Sequence, residues 1–491
     1  MDLILALDAG TTGVRTVAFD AAATLVDSSY RELTQYFPQP GEVEHDANEI
    51  AQLAIDTLRE VAQRAQQNGH HILALGITNQ RETTVAFDRA DGAIRHRAIV
   101  WQDRRTSATC EDLARQGALD QVRRTTGLVL DSYFSGTKMR WLMDHGAIEG
   151  FSSPALSTID AFLLWRLSGG PDGGTFATEP SNASRTMLMD LETLQWSPAM
   201  CELLGVPESY LPDIEPSAHR FAEIAGTVIP ELAGVPIAAI LGDQQAALFG
   251  QACFEPGMVK ATYGTGAFIL ANAGHDVPAL RDGLVTTVAW DAGRHDVPAY
   301  AYEGSAFVAG AAIQWLRDEL GIITSSAEVG PLAESVPDSA GVVFVPAFTG
   351  LGSPFWRSDA RGVLMGLSTS TTKAHIARAV VEALAFQVRA MTDAFADAGV
   401  TLRELRADGG AAAMDLLLDL QATNSRLRVR RSRSLEATAQ GAALMAGLEV
   451  GLWPDLEVLS ELWASSATFE PQDPAFVDVF YGAWIDATTR A

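Results

Sequence analysis

Lysine is nearly missing from this 491-residue chain: Lys138, Lys260 and Lys373 are the only ones, and arginine supplies the remaining positive charge. None of the three follows a glycine, which excludes the Gly-Lys-Ser/Thr of a P-loop. The His-Arg-Asp and Asp-Phe-Gly pair of protein kinases is also absent. Positive charge as a whole is scarce, with 35 Lys and Arg against 61 Asp and Glu, a net charge of −26. Such a surface repels nucleic acid and anionic membranes, so an anionic ligand needs local donors or a metal to hold it. Three scattered cysteines, Cys110, Cys201 and Cys253, give neither a disulfide framework nor metal-ligand spacing and point to a reduced compartment. No apolar run approaches the roughly 20 residues that cross a bilayer, and Met1-Asp2-Leu3-Ile4 lacks the positive start of a signal peptide. The expected location is cytoplasmic. A 47% hydrophobic, 20% charged composition is that of a globular protein, and the length predicts two domains.

What is present is one device written twice. Leu5-Ala-Leu-Asp8-Ala-Gly10-Thr11-Thr12-Gly13 and Lys260-Ala-Thr-Tyr263-Gly264-Thr265-Gly266-Ala-Phe268 each combine an apolar approach, a Gly/Thr tip and an apolar exit. A β-hairpin tip of this kind exposes backbone N–H groups and hydroxyls to an anion such as a phosphate. One copy alone reads as an ordinary glycine turn; two, half a chain apart, predict related halves around a polyphosphate.

Between and beyond the hairpins, strands alternate with helices, the pattern of an α/β fold. Asp46 opens a helix to about Gln67, with Glu49 placed for a capping box. Residues 71–78 and 236–242 read as buried strands that end in Asn79-Gln80-Arg81-Glu82 and Asp243-Gln244-Gln245. Phe254-Glu255-Pro256-Gly257 is a turn and the expected boundary between domains at 1–251 and 252–491. Residues 304–320 read as a helix, 342–345 as a strand, and 372–398 as a long helix stopped by Gly399. A strand from Leu405 ends in Asp408-Gly409-Gly410, with a helix from about Met414.

Arg81-Glu82 taken alone reads as an exposed ion pair at a strand end. With Trp101, Tyr133 and Asp243 at other strand ends and loops, it suits a polyol clamp: a guanidinium donates to hydroxyl oxygens, carboxylates accept hydroxyl protons and aromatic faces cover C–H surface.

Two glycine hairpins and a double-glycine strand-to-helix turn resemble the three-part pattern of the actin, hexokinase and sugar-kinase ATPases. Over nearly its whole length the chain resembles the FGGY carbohydrate kinases, and among them the branch acting on glycerol. The resemblance lies in residues 5–15, 76–84, 99–105, 126–138, 181–188, 242–250, 263–268 and 345–354, and in Tyr133-x-Ser135-x-x-Lys138-x-x-Trp141. It implies two actin/hexokinase-like (ribonuclease H-like) domains around a cleft, and ATP-dependent phosphorylation of glycerol in the presence of Mg²⁺. Other outcomes are a kinase of another small polyol or ketose, or a non-catalytic nucleotide-binding regulator.

Carried over by position, the resemblance puts Arg81, Glu82, Tyr133, Asp243 and Gln244 on glycerol hydroxyls, with Trp101 and Phe268 against its carbons. Thr11, Thr12, Gly13, Arg15, Thr265, Gly310, Gln314 and Gly410 would surround ATP. Asp243 would be the base, and Asp8 with Asp243 would hold Mg²⁺. Met414 stands where the family pattern has an Asn touching adenosine, so a changed nucleoside contact is expected there, beside Asp415. Ala9 and Val14 replace polar family residues. Residues 226–234 lack the cation of the fructose bisphosphate loop, and residues 469–480 do not match the surface met by the phosphotransferase-system regulator, so neither control is expected. A homodimer or homotetramer is the expected assembly.

Overall fold

Two sheets built to one plan carry the hairpins. A computed structural model describes residues 1–434, 436–472 and 475–491; positions 473–474 of the 469–480 stretch lie outside the described residues. In the first sheet Asp2–Ala9 (β1) pairs antiparallel with Gly13–Phe19 (β2), Asp8 opposite Arg15, and Leu25–Glu32 (β3) adds to β2. On its other side β1 runs parallel to His71–Asn79 (β4). Ala218–Glu223 (β5) forms the edge against Pro236–Gly242 (β6), which itself runs parallel to β4, giving the order β5-β6-β4-β1-β2-β3.

The second sheet repeats this arrangement. Met258–Tyr263 (β7) and Ala267–Gly274 (β8) make the hairpin, and Val285–Trp290 (β9) and Ala299–Ala306 (β10) extend it on the β8 side. Glu404–Asp408 (β11) and Arg428–Ser432 (β12) run parallel beside β7, with Ser465–Phe469 (β13) at the edge: β9-β10-β8-β7-β11-β12-β13. In the first sheet the parallel strands are nearly continuous apolar runs, as strands covered on both faces are. Their carboxyl ends lie together, so the residues leaving them face one crevice. Arg81 and Asp243 leave β4 and β6 there, and Gly409-Gly410 leaves β11 beside the second tip.

Helix Ala47–Gln67 (α1) covers the first sheet. Its N-cap Asp46 accepts from Asn48 N (2.9 Å) and Glu49 N (3.4 Å). The expected capping box is only half built, because Glu49 instead accepts from the Thr34 hydroxyl at 2.8 Å. Asp243–Gly250 (α2) and Ala437–Glu449 (α6) lie between the sheets in one shared core, where Ile4, Ala6 and Leu241 meet Leu270 and Trp290. The approach is too close for side chains. A Cβ on Gly441 would sit 1.8 Å from the Ala246 carbonyl oxygen, and one on Gly76 2.2 Å from that of Ala442.

Among the further helices of the second half are Gly310–Asp318 (α3), Lys373–Asp397 (α4) and Asp415–Ser425 (α5). Residues 304–306, predicted to begin a helix, belong instead to β10. Ser305 pairs with Phe268, and Gly304 is pressed on Met391, where a Cβ would meet Sδ at 2.6 Å. Among the described residues no helix is long and apolar enough to cross a membrane.

Candidate active site

Arg81 is the hub of a buried cluster. Its two terminal nitrogens donate to the Glu303 carboxylate of β10 at 2.6 and 2.8 Å, and one also reaches Gln245 at 3.0 Å. The other donates to the Tyr133 hydroxyl at 3.3 Å. Arg185 ties in from behind, to Glu82 at 2.7 Å and Glu303 at 3.2 Å. Glu82 holds this position with a left-handed backbone (φ 57°), a conformation costly for a non-glycine residue and common at functional sites. Trp101, Tyr133 and Phe268 wall the cluster, with the indole centroid 5.6 Å from the phenol and 6.2 Å from the Phe268 ring.

Asp243, at the start of α2, is the open member. Its side chain is 29% exposed and its Oδ1 lies 3.2 Å from Arg81 Nε, a nitrogen not aligned to donate to it. Arg81 Nε and Arg185 Nη1 are buried donors without a hydrogen-bond partner, an arrangement that calls for ligand oxygens. Burial pushes the Glu303 carboxyl up, but the Arg185 and Arg81 charges more than offset this and bring it to about 2. Burial raises Asp243, opposed by Arg81 and Lys260 and reinforced by Asp8. Lys260 falls to about 8 by burial, held from falling further by Asp408 and Asp243.

The first tip is wired into this cluster. Trp101 Nε1 donates to Thr11 Oγ1 at 3.0 Å, and Gln35 donates to the Thr11 carbonyl at 2.7 Å. Arg15 forks onto Asp8 (Nε and Nη2 each at 2.9 Å) and also pairs with Glu436. Thr12 is exposed, while the buried Gly13 begins β2. The second tip is fixed by backbone alone, Ala309 N to Thr265 O at 2.8 Å and Gly310 N to Gly264 O at 2.9 Å. Thr265, Gly310, Gln314, Gly410 and Met414 all line one cavity of about 820 Å³; the first tip stands apart from that lining.

Among the described residues no three His, Cys, Asp or Glu side chains form a metal cage. Asp8 and Asp243 lie near enough for Asp8 to add to the rise of Asp243, and offer carboxylate oxygens of the kind taken by Mg²⁺, which keeps most of its water and takes phosphate oxygens.

The FGGY family of carbohydrate kinases matches in two parts, its N-terminal domain over residues 3–250 and its C-terminal domain over 259–450. The chain belongs to this family. Glycerol kinase of Rhodopirellula baltica is 49% identical over 478 residues, covering 96% of this chain and 87% of that protein. Glycerol kinase of Stenotrophomonas maltophilia is 48% identical over 492 residues, covering 99% and 97%. Among solved structures, Plasmodium falciparum glycerol kinase with ADP superposes with a TM-score of 0.92 at 33% identity, covering 100% of this chain and 98% of that one. Xylulose kinase of Lactobacillus acidophilus shares the fold, with a TM-score of 0.88 at 19% identity.

The two sheets are thus the paired actin/hexokinase-like ATPase domains of an FGGY kinase. Sequence reasoning placed Arg81, Glu82, Trp101, Tyr133, Asp243 and Phe268 in one site, and they converge. Gln244 turns away to accept from Lys260 Nζ, and its neighbour Gln245 takes the place on Arg81. Glu303, Arg185 and Lys260 were missed. Glu303 was signalled by a lone carboxylate in Ala-Tyr-Ala-Tyr-Glu-Gly-Ser-Ala, since a charge in a buried strand requires a partner. Arg185 lay within the stretch 181–188 that resembles the family, and Lys260 was a lone cation in a buried strand.

Proposed function

We propose that this FGGY kinase transfers the γ-phosphoryl group of ATP to glycerol, forming sn-glycerol 3-phosphate. The observation that carries the reading is the buried Arg81 Nε without a hydrogen-bond partner, 3.2 Å from the 29% exposed Asp243 carboxylate, in a cluster walled by the Trp101, Tyr133 and Phe268 rings. A three-carbon polyol offers hydroxyls to the guanidinium and carboxylates and carbons to the rings.

Asp243 accepts the proton of the primary hydroxyl as its oxygen bonds to phosphorus and the bond to the ADP oxygen breaks. The transfer has a loose transition state, so positioning and charge neutralisation count for more than base strength. Arg15 and the backbone N–H groups of Thr11 to Gly13 and of Gly264 to Gly266 meet phosphate charge from the two sides, the Gly10 N–H being held by the Gly13 carbonyl at 3.0 Å. The cavity of the second half takes the nucleoside along Gly410 and Met414. Mg²⁺ held at Asp8 and Asp243 supplies charge neutralisation of the phosphates when bound.

Residues 1–251 and 252–491 are the proposed domains, with a cytoplasmic homodimer or homotetramer as the working form. Neither fructose bisphosphate nor a phosphotransferase-system protein controls it. The test is a panel of polyols and pentuloses in a coupled ADP assay. Glycerol is expected to lead; a preference of about tenfold for any other acceptor, a difference of ~1.4 kcal/mol, overturns the assignment.

A further inference from the structure

We propose that Glu179, remote from the reacting atoms, is a positioning residue that sets the spacing between the base and the polyol clamp. The inference rests on the kinase reading above. Glu179 is fully buried and accepts five hydrogen bonds. Its Oε1 takes Ser181 Oγ (2.6 Å), Asn182 N (2.6 Å) and Asn182 Nδ2 (2.9 Å). Its Oε2 takes Ser181 N (2.8 Å) and Ser217 Oγ (2.6 Å). Asp160 is the charged group facing it, itself held by the Thr158 and Thr178 hydroxyls.

Each bonded group leads to a different part of the site. Ser181 Oγ, its proton committed to Glu179, turns a lone pair to Gly242 N at 2.9 Å, one residue before Asp243. Asn182 exchanges two hydrogen bonds with Asn79 (3.0 and 3.2 Å), two residues before Arg81. Ser217 accepts from Asp291 N at 3.1 Å, in the second half. The same segment continues to Arg185, which holds Glu82. One carboxylate therefore fixes the strand ends that launch Asp243 and Arg81, and the segment carrying Arg185.

A hydroxyl donates one proton only. With Glu179 as its acceptor, Ser181 must present a lone pair to Gly242; without that acceptor the hydroxyl is free to rotate. Misplacement of reacting groups by about 1 Å costs on the order of a hundredfold in rate.

The two arms make separable predictions. Ser181→Ala cuts the Asp243 arm and is expected to lower kcat about tenfold with the polyol KM within about twofold. Asn182→Ala cuts the Arg81 arm and is expected to raise the polyol KM about tenfold with a smaller loss of kcat. Glu179→Gln, which sets an N–H against donors, should show both effects. Rates are expressed per ADP-binding site measured by calorimetry, so loss of folded enzyme alone moves neither parameter. Unchanged kcat and KM per site in all three variants overturns the inference.

The assay uses whichever polyol the wild type phosphorylates best, so the choice of substrate does not decide the outcome. A crystal structure of Ser181→Ala separates the two readings. A displaced Asp243 is expected. An Asp243 that keeps its distance to Arg81 Nε overturns the positioning role, whereas a displaced Asp243 in the variant, with a wild type that phosphorylates no polyol, overturns only the kinase reading.

Discussion

The two hairpins share a plan and differ in what they hold. The first carries an ion pair across its strands, Asp8 with Arg15, and its tip is tied to side chains, Trp101 and Gln35. The second has no charged residue from Ala261 to Asn272, and its tip is braced only by the backbone at the start of α3. A duplicated framework thus serves two tasks. One half places the charged cluster of Arg81, Glu82 and Asp243, the proposed base and polyol site; the other offers glycine backbone to an open cavity, the proposed nucleotide site. The division is incomplete in one respect: Glu303 and Lys260 leave the second sheet to brace Arg81 and Gln244 of the first.

Four substitutions press on that contrast. Asp243→Asn removes the proton acceptor, and kcat should drop by about 10²–10⁴ while calorimetric ADP affinity stays at the wild-type value. Retained turnover would remove the base from the first half. Glu303→Gln takes the second half's carboxylate from two buried guanidinium groups. Leaving a buried charge uncompensated costs about 3–5 kcal/mol, which denaturant unfolding should detect together with a higher glycerol KM. A change within about 0.5 kcal/mol, the range of ordinary surface substitutions, would mean the halves are independent.

Gly310→Ala probes the backbone brace. The added Cβ would lie 2.6 Å from the Gly264 carbonyl oxygen and force the second tip away from α3. Overpacking of this kind costs about 1–3 kcal/mol, so the ATP KM should rise roughly tenfold with glycerol binding unaffected. An equal effect on both substrates would erase the distinction between the hairpins. The smallest effect belongs to Met414→Asn. Restoring an amide in the nucleoside cavity should lower the ATP KM by a few fold, one hydrogen bond being worth about 1 kcal/mol. Identical Michaelis constants would show that this position does not touch the nucleoside.

The sequence made the hairpins, the double-glycine turn and the strand ends at Arg81 and Asp243 readable, because each is a short local pattern with one physical cause. Glu303 was hidden for the opposite reason: its partner Arg81 is 222 positions away, and no local pattern records such a pairing. The helix expected from Gly304 failed for a related reason. Small residues with a glycine before Ala309-Gly310 suit a helix start, yet pairing with β8 and the packing of Met391 keep that segment extended. The Glu179 arrangement was out of reach as well, since Glu179-Pro180-Ser181-Asn182 suggests a loop until the burial of its polar residues is known.

Helix α6 carries a consequence for how the chain is made. The first sheet is complete once Gly242 has been added, but one of its apolar faces, with Ile4, Ala6, Ala74 and Leu241, packs against Ala439, Ala442 and Ala443 near the end of the chain. On the ribosome that face lacks α6 while every strand of the second sheet but β13 is being synthesised. Ordinary domains finish in chain order, the amino-terminal one first. Here the first half cannot bury that face against α6 until residue 449 emerges.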